Sequence, residues 1–214
     1  MSGIYYSIRK MGLMKNKEIE EEPATTMMIK TARLVLKPHR FENAHRLNEW
    51  ENDPELIYYN DDQPEPYQPQ PIAETHKYIQ RHLEVGPQTS SLHFAIHTRE
   101  EDLLIGYGMI AFIDRYNRSC RLGITIGAKG LWGQGYAKEA LRAVIAYCFQ
   151  TLNMNRVGAE IYSFNLRSVA LFEHLGFTRE GIVRQCVYKK GAFEDEYIYG
   201  LLREEWNNLT FSIA

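Results

Sequence analysis

The chain has 214 residues, with 25 Lys and Arg against 27 Asp and Glu and a formal net charge of −2. That balance, without a clustered basic excess, excludes the electrostatic footprint of a nucleic-acid binder. A chain of this length buries about 70% of its unfolded surface and needs neither a disulfide nor a metal to hold a core. The three cysteines, Cys120, Cys148 and Cys186, are odd in number, widely spaced and without zinc spacing; they fit a reducing, cytoplasmic setting. The first 30 residues hold no apolar core of secretory-signal length. The longest mostly apolar run, Leu103 to Ile113, is too short to span a bilayer. No membrane partner and no metal are expected.

Residues 1–28 read as a flexible N-terminal arm, with a charge cluster from Lys15 to Glu22 and no hydrophobic period. A single domain is expected over 29–214. Leu34 to Leu36 forms a short strand, and Phe41, Ala44 and Leu47 fall three apart on a helix ending near Asp53-Pro54. A proline-rich polar loop follows from Tyr58 to Gln70, then a second helix over Ala73 to Val85. Strands are expected at Leu92–His97, Leu103–Asp114 and Ser119–Ile126. The third helix carries Leu141, Val144, Ile145, Cys148, Phe149 and Leu152 in steps of 3, 1, 3, 1 and 3, one stripe at 3.6 residues per turn. Cys148 lies on that stripe as a buried structural thiol. A strand at Val157–Tyr162 and a fourth helix from Asn165 to Gly176 follow. The last two strands, Phe177–Tyr188 and Glu194–Leu201, join at Lys190-Gly191. This order implies an α+β fold with a mixed sheet.

Two motifs carry chemistry. Trp132-Gly133-Gln134-Gly135-Tyr136-Ala137 joins a strand to a helix. Small residues there let backbone N–H groups approach an anion, and the unpaired first amides and helix dipole favour a phosphate. Downstream, Asn165-x-x-Ser168-x-x-x-Phe172-x-x-x-Gly176-Phe177 reads as a helix capped by Asn165 and ended by glycine, with Phe172 on nearly the face of Asn165.

Together, about 30 residues apart, these motifs resemble the GNAT superfamily of acyl-CoA N-acyltransferases, closest to its ribosomal-protein N-terminal and spermidine acetyltransferases. The phosphate-loop pattern Gln/Arg-x-x-Gly-x-Gly/Ala matches residues 132–137 with tryptophan first. The Asn…Tyr…Gly-Phe pattern matches Asn165, Phe172, Gly176 and Phe177, and the closing Leu201-Leu202-Arg203-Glu204-Glu205-Trp206 is similar to that branch. The resemblance spans residues 31–206. It implies a mostly antiparallel sheet with splayed central parallel strands flanked by about four helices, and acetyl-CoA as acyl donor. The loop Trp132, Gly133, Gln134, Gly135, Tyr136 and Ala137 would hold its pyrophosphate, and Ile124, Thr125 and Ile126 would pair with its pantetheine arm. Asn165 would hydrogen-bond that arm, with Phe172 beside it. A homodimer is also among the family's assemblies.

The implied reaction is direct attack of a primary amine on the thioester, with an N–H of Thr125 or Ile126 polarising the carbonyl. Phe172 replaces the tyrosine that often protonates the leaving thiolate, so the catalytic residues are unassigned. Glu160, Tyr162 and Tyr188 are the candidates, and His174 reads as surface. The acidic, tyrosine-bearing segment 51–72, with Asp61, Asp62 and Glu65, would form one wall of the acceptor site for a small polyamine-like or amino-acid-like amine. Facing the cleft, Arg121 would favour an acceptor bearing a carboxylate, or a peptide; pairing with the acidic segment is the alternative. Nα-acetylation of a protein N-terminus and a non-catalytic acyl-CoA sensor are the alternatives.

Overall fold

The computed structural model describes residues 27–60, 67–83 and 89–211. Eight strands make one sheet in the order β1-β2-β3-β4-β5-β6-β8-β7. They are β1 (Ile29–Lys30), β2 (Leu34–Lys37), β3 (Leu92–Thr98), β4 (Leu104–Asp114), β5 (Ser119–Thr125), β6 (Arg156–Tyr162), β7 (Thr178–Lys189) and β8 (Ala192–Leu202). Every neighbouring pair is antiparallel except β5 and β6, which run parallel at the centre. The expected α+β architecture is therefore present.

The helices are α1 (Ala44–Glu51), α2 (Pro54–Asn60), α3 (Ile72–Leu83), α4 (Tyr136–Gln150), α5 (Leu166–His174) and α6 (Arg203–Phe211). Strand alternation sends neighbouring residues of β3 to opposite faces of the sheet. Phe94 and Ile96 join a large core with Leu141, Val144, Ile145, Cys148 and Phe149 of α4 and Phe172 of α5. Ala95 joins Leu47, Trp50, Leu56 and Ile79 of α1, α2 and α3. The stripe is buried from Leu141 to Phe149 as its spacing predicted, Leu152 lies past the end of α4 and is half-buried, and Cys148 is a buried free thiol.

Six helices stand among the described residues where about four were expected, and two were misread. Asp53-Pro54 ends α1 but also starts α2: the Asp53 carboxylate accepts from the N–H groups of Glu55 and Leu56 at 3.0 and 3.3 Å, and Pro54 takes the first helical position, where no N–H is needed. Tyr58 and Tyr59 are therefore helical, not loop. The C-terminal α6 is fixed by Arg203, whose guanidinium donates to the carbonyls of Phe149 and Met154, while Trp206 packs on Phe149 with ring centroids 5.3 Å apart. Of the segment read as an arm, residues 1–26 lie outside the described residues, and Met27 is buried in the core.

Candidate active site

Central strands that part company make the site. β5 stays paired to β4 as far as Tyr107↔Thr125, but its pairing to β6 stops at Arg121↔Gly158. Beyond that point the β6-facing edge of β5 has no strand partner, and the two strands splay. A cavity of about 830 Å³ opens there, reaching from the glycine loop to the helices on the opposite face. Ile124, Thr125 and Ile126 line it.

The glycine loop closes one end. Gly133 and Gly135 have φ of 77° and 81°, a left-handed conformation that glycine adopts without strain. Gly135 is the N-cap of α4, and no side chain caps that helix end. The first α4 amides thus lack both intrahelical acceptors and a capping oxygen, as an anion site requires. Trp132, Gly133, Gly135, Tyr136 and Ala137 line the cavity; Gln134 does not. Its amide donates to the Gly130 carbonyl at 3.0 Å, and its own carbonyl accepts from Arg33 at 3.1 Å.

Two contacts fix this loop that its sequence gave no sign of. The Trp132 indole N–H donates to the Ile126 carbonyl at 2.6 Å, tying the loop to the end of β5. Arg33, 106 residues before Glu139, holds the α4 entrance: its Nε donates to Glu139 at 2.6 Å, and its guanidinium lies 4.3 Å from the Tyr136 ring centroid. Thr31 also donates to Glu139, at 2.6 Å. This network holds the Glu139 carboxyl below the usual carboxylate range, against a desolvation that acts the other way.

Across the splay, the Asn165 side chain accepts from the Ser168 N–H at 3.2 Å and caps α5 as expected. Asn165, Ser168 and Phe172 line the cavity. Phe172 is buried edge-on against Phe177, at 5.0 Å between centroids. It brings a ring and no proton to the cleft.

The candidate proton carriers separate. Glu160 and Tyr162 line the cavity, but Tyr188 does not: it is exposed and packs against Phe193 at the β7–β8 hairpin. Tyr188 is withdrawn as a candidate, because it sits out at the β7–β8 hairpin opposite Phe193, away from the residues that line the cleft. Arg121 lines the cavity and pairs with Glu160 at 2.6 Å, just where β5 and β6 separate, and stacks over Phe112 at 5.0 Å. His174 is exposed, as read.

The acids of the expected wall that lie among the described residues make structural contacts. Asp53 and Glu55 pair with Lys129 at 2.7 and 3.2 Å, and Glu51 accepts from the Thr75 hydroxyl at 2.5 Å. Asp61, Asp62 and Glu65 lie outside the described residues. α2 and α3 supply Tyr59, Asn60 and Tyr78 to the cavity, with His93 and Tyr107 from the sheet. The Tyr78 hydroxyl and His93 Nδ1 share a hydrogen bond at 2.8 Å. Burial pushes the His93 pKa down to about 3 and raises that of Tyr78. Both are therefore neutral near pH 7. Neither carried a sequence signal, since β3 and α3 meet only in the folded chain.

A split parallel pair, an uncapped helix entrance opening on the split, and an amphipathic helix opposite define an acyltransferase cleft of the GNAT class. Residues 33–178 match the acetyltransferase (GNAT) domain family, so the chain belongs to that family and is an N-acetyltransferase. It is 31% identical to the N-acetyltransferase p20 of Bacillus licheniformis over 176 residues, which are 82% of this chain and 96% of that protein. It is also 31% identical to the ribosomal protein uS5-alanine N-acetyltransferase of Escherichia coli, over 58% of this chain and 63% of the relative. Its fold superposes on the spermidine N-acetyltransferase of Vibrio cholerae, solved with CoA and spermine, with a TM-score of 0.73, covering 83% of this chain and all of that one at 21% identity.

Proposed function

We propose that the protein transfers an acetyl group from acetyl-CoA to a primary amine, acting in the cytoplasm on a small polyamine-like or amino-acid-like acceptor. The observation that carries this reading is the junction of the β5–β6 split with the uncapped entrance of α4. A diphosphate on the amides of residues 133–137 and an extended arm along the open edge of β5 would share one continuous cleft. An N–H of Thr125 or Ile126 would stabilise the oxyanion as the amine nitrogen attacks the thioester carbon. The C–S bond then breaks, the amine loses a proton and CoA leaves as thiolate. Holding the two reactants together supplies the largest share of the rate.

Phe172 offers the thiolate no proton, so water or another cleft group must. Tyr162 and Glu160 are the proton carriers we retain, the latter through water, because both line the cavity.

A second reading is acetylation of a peptide α-amine. Arg121 at the split, paired with Glu160 at 2.6 Å, suits the carboxylate of an amino acid or a peptide carbonyl better than a polycation, and so is compatible with this reading as well as with an amino-acid-like acceptor. A panel of spermidine, free amino acids and short peptides, scored by release of the CoA thiol, separates the two. Turnover of the small amines supports the first reading, turnover confined to peptides supports the second, and CoA binding without turnover of any amine would leave only a sensor.

A further inference from the structure

The glycine loop brings partial positive charge but no cationic side chain between residues 131 and 137. The cations around it are mostly engaged. Lys129 is held by Asp53 and Glu55, Arg33 by Glu139, and Arg121 by Glu160. Arg167 differs. It lies in the first turn of α5, two residues after the Asn165 cap, and lines the same cavity as the loop. No carboxylate among the described residues pairs with it; its partner is the face of Trp132, 4.7 Å from the guanidinium carbon to the ring centroid. Trp132 is itself pinned through its N–H to the end of β5. The stack therefore reaches across the split from α5 to the loop and holds an exposed guanidinium in place at the cleft.

We infer that Arg167, held on the face of Trp132, is the α5-side ligand of the CoA diphosphate, opposite the amides of the glycine loop. The inference rests on the CoA reading above. A dianionic diphosphate on backbone amides keeps most of its charge uncompensated. A planar guanidinium can donate two parallel hydrogen bonds to phosphate oxygens while its face stays on the indole. Stacking fixes the side chain before the ligand arrives and reduces the ordering cost of binding.

Calorimetric titration of Arg167→Ala with CoA, 3′-dephospho-CoA and pantetheine tests the assignment. The expected result is a loss of about tenfold or more for CoA and 3′-dephospho-CoA alike, as for a lost charge-assisted hydrogen bond, with pantetheine unchanged. Arg167→Lys, which keeps the charge and loses the planar fork, should fall between. Unchanged affinity for CoA overturns the proposal. So does a loss seen only with CoA, which would place Arg167 on the 3′-phosphate, or an equal loss with pantetheine, which would make it a support for α5. Failure of the unaltered protein to bind CoA would instead remove the reading on which the proposal rests.

Discussion

Two glycines show how a single missing side chain shapes the cleft. At Gly127, just past β5, a Cβ would lie 2.1 Å from the indole of Trp50, so the chain passes flush against that ring. Gly127→Ala should cost about 1–3 kcal/mol through forced repacking, read as a lower urea midpoint with an unchanged slope. Gly135 is different: nothing crowds it but the tip of Arg33 at 3.5 Å, and its φ of 81° is what matters. A β-branched side chain resists that conformation. Gly135→Val should lower the melting temperature of the free protein, because valine is strained at that φ, and should also abolish the thermal stabilisation that acetyl-CoA is expected to give; an intact ligand shift would displace the phosphate site from this loop. The loop glycines were legible in the sequence as an anion-binding turn. The need for glycine at 127 was not, because Trp50 lies on α1 and meets it only through the fold.

Among the elements, α5 is the one whose placement the site most depends on. It presents Asn165, Arg167, Ser168 and Phe172 to the cavity from one short helix. Its start is fixed by the Asn165 side chain on the Ser168 N–H. Asn165→Ala should lower stability by about 1 kcal/mol, within the usual range for a lost N-cap. It should also weaken CoA binding more than that cost alone explains, since the first turn carries the groups that face the cleft. Urea unfolding and calorimetry on the same variant check both parts. The cap and the glycine stop of α5 could be read directly from residue type and spacing. The second role of Asp53-Pro54 was harder to see, because an Asp-Pro pair both stops one helix and starts another. α6 was missed because its run is mostly polar, and its hold on the core comes from Arg203 reaching carbonyls some 50 residues away.

Seen whole, the molecule gathers four imidazoles around α3 and the sheet, His39 and His97 buried and His82 and His93 half-buried. His39 is buried with neither ring nitrogen hydrogen-bonded, edge-on to Tyr78. The His82 and His93 rings meet at a tilt with centroids 3.6 Å apart, and His97 contacts Asn43 and the Asp102 backbone. Burial, with the neighbouring His82 and His97, pushes the His39 pKa down to about 4. In the unfolded chain histidine titrates near 6.5, so acid protonates the unfolded state first. Stability is then full above pH 6.5 and declines as the pH falls towards 4, by about 2 kcal/mol at pH 5 from His39 alone. His39→Leu should flatten that decline, measured as urea stability at pH 7 and pH 5, and should not lower stability at pH 7. An undiminished pH slope in the variant would assign the acid sensitivity elsewhere.

Periodicity and turn chemistry by themselves determined the α4 stripe, the glycine loop, the α5 cap and the α+β class. Each is set by residues within a few turns of one another, so local order carries them. The tertiary structure alone decided which side chains share the cleft. It turned Tyr188 outward, joined Arg121 to Glu160 and Arg167 to Trp132, and tied Asp53 and Glu55 to Lys129. Those outcomes depend on where β5 and β6 stop pairing and how the helices cross them, and such long-range geometry leaves no periodic mark on the chain.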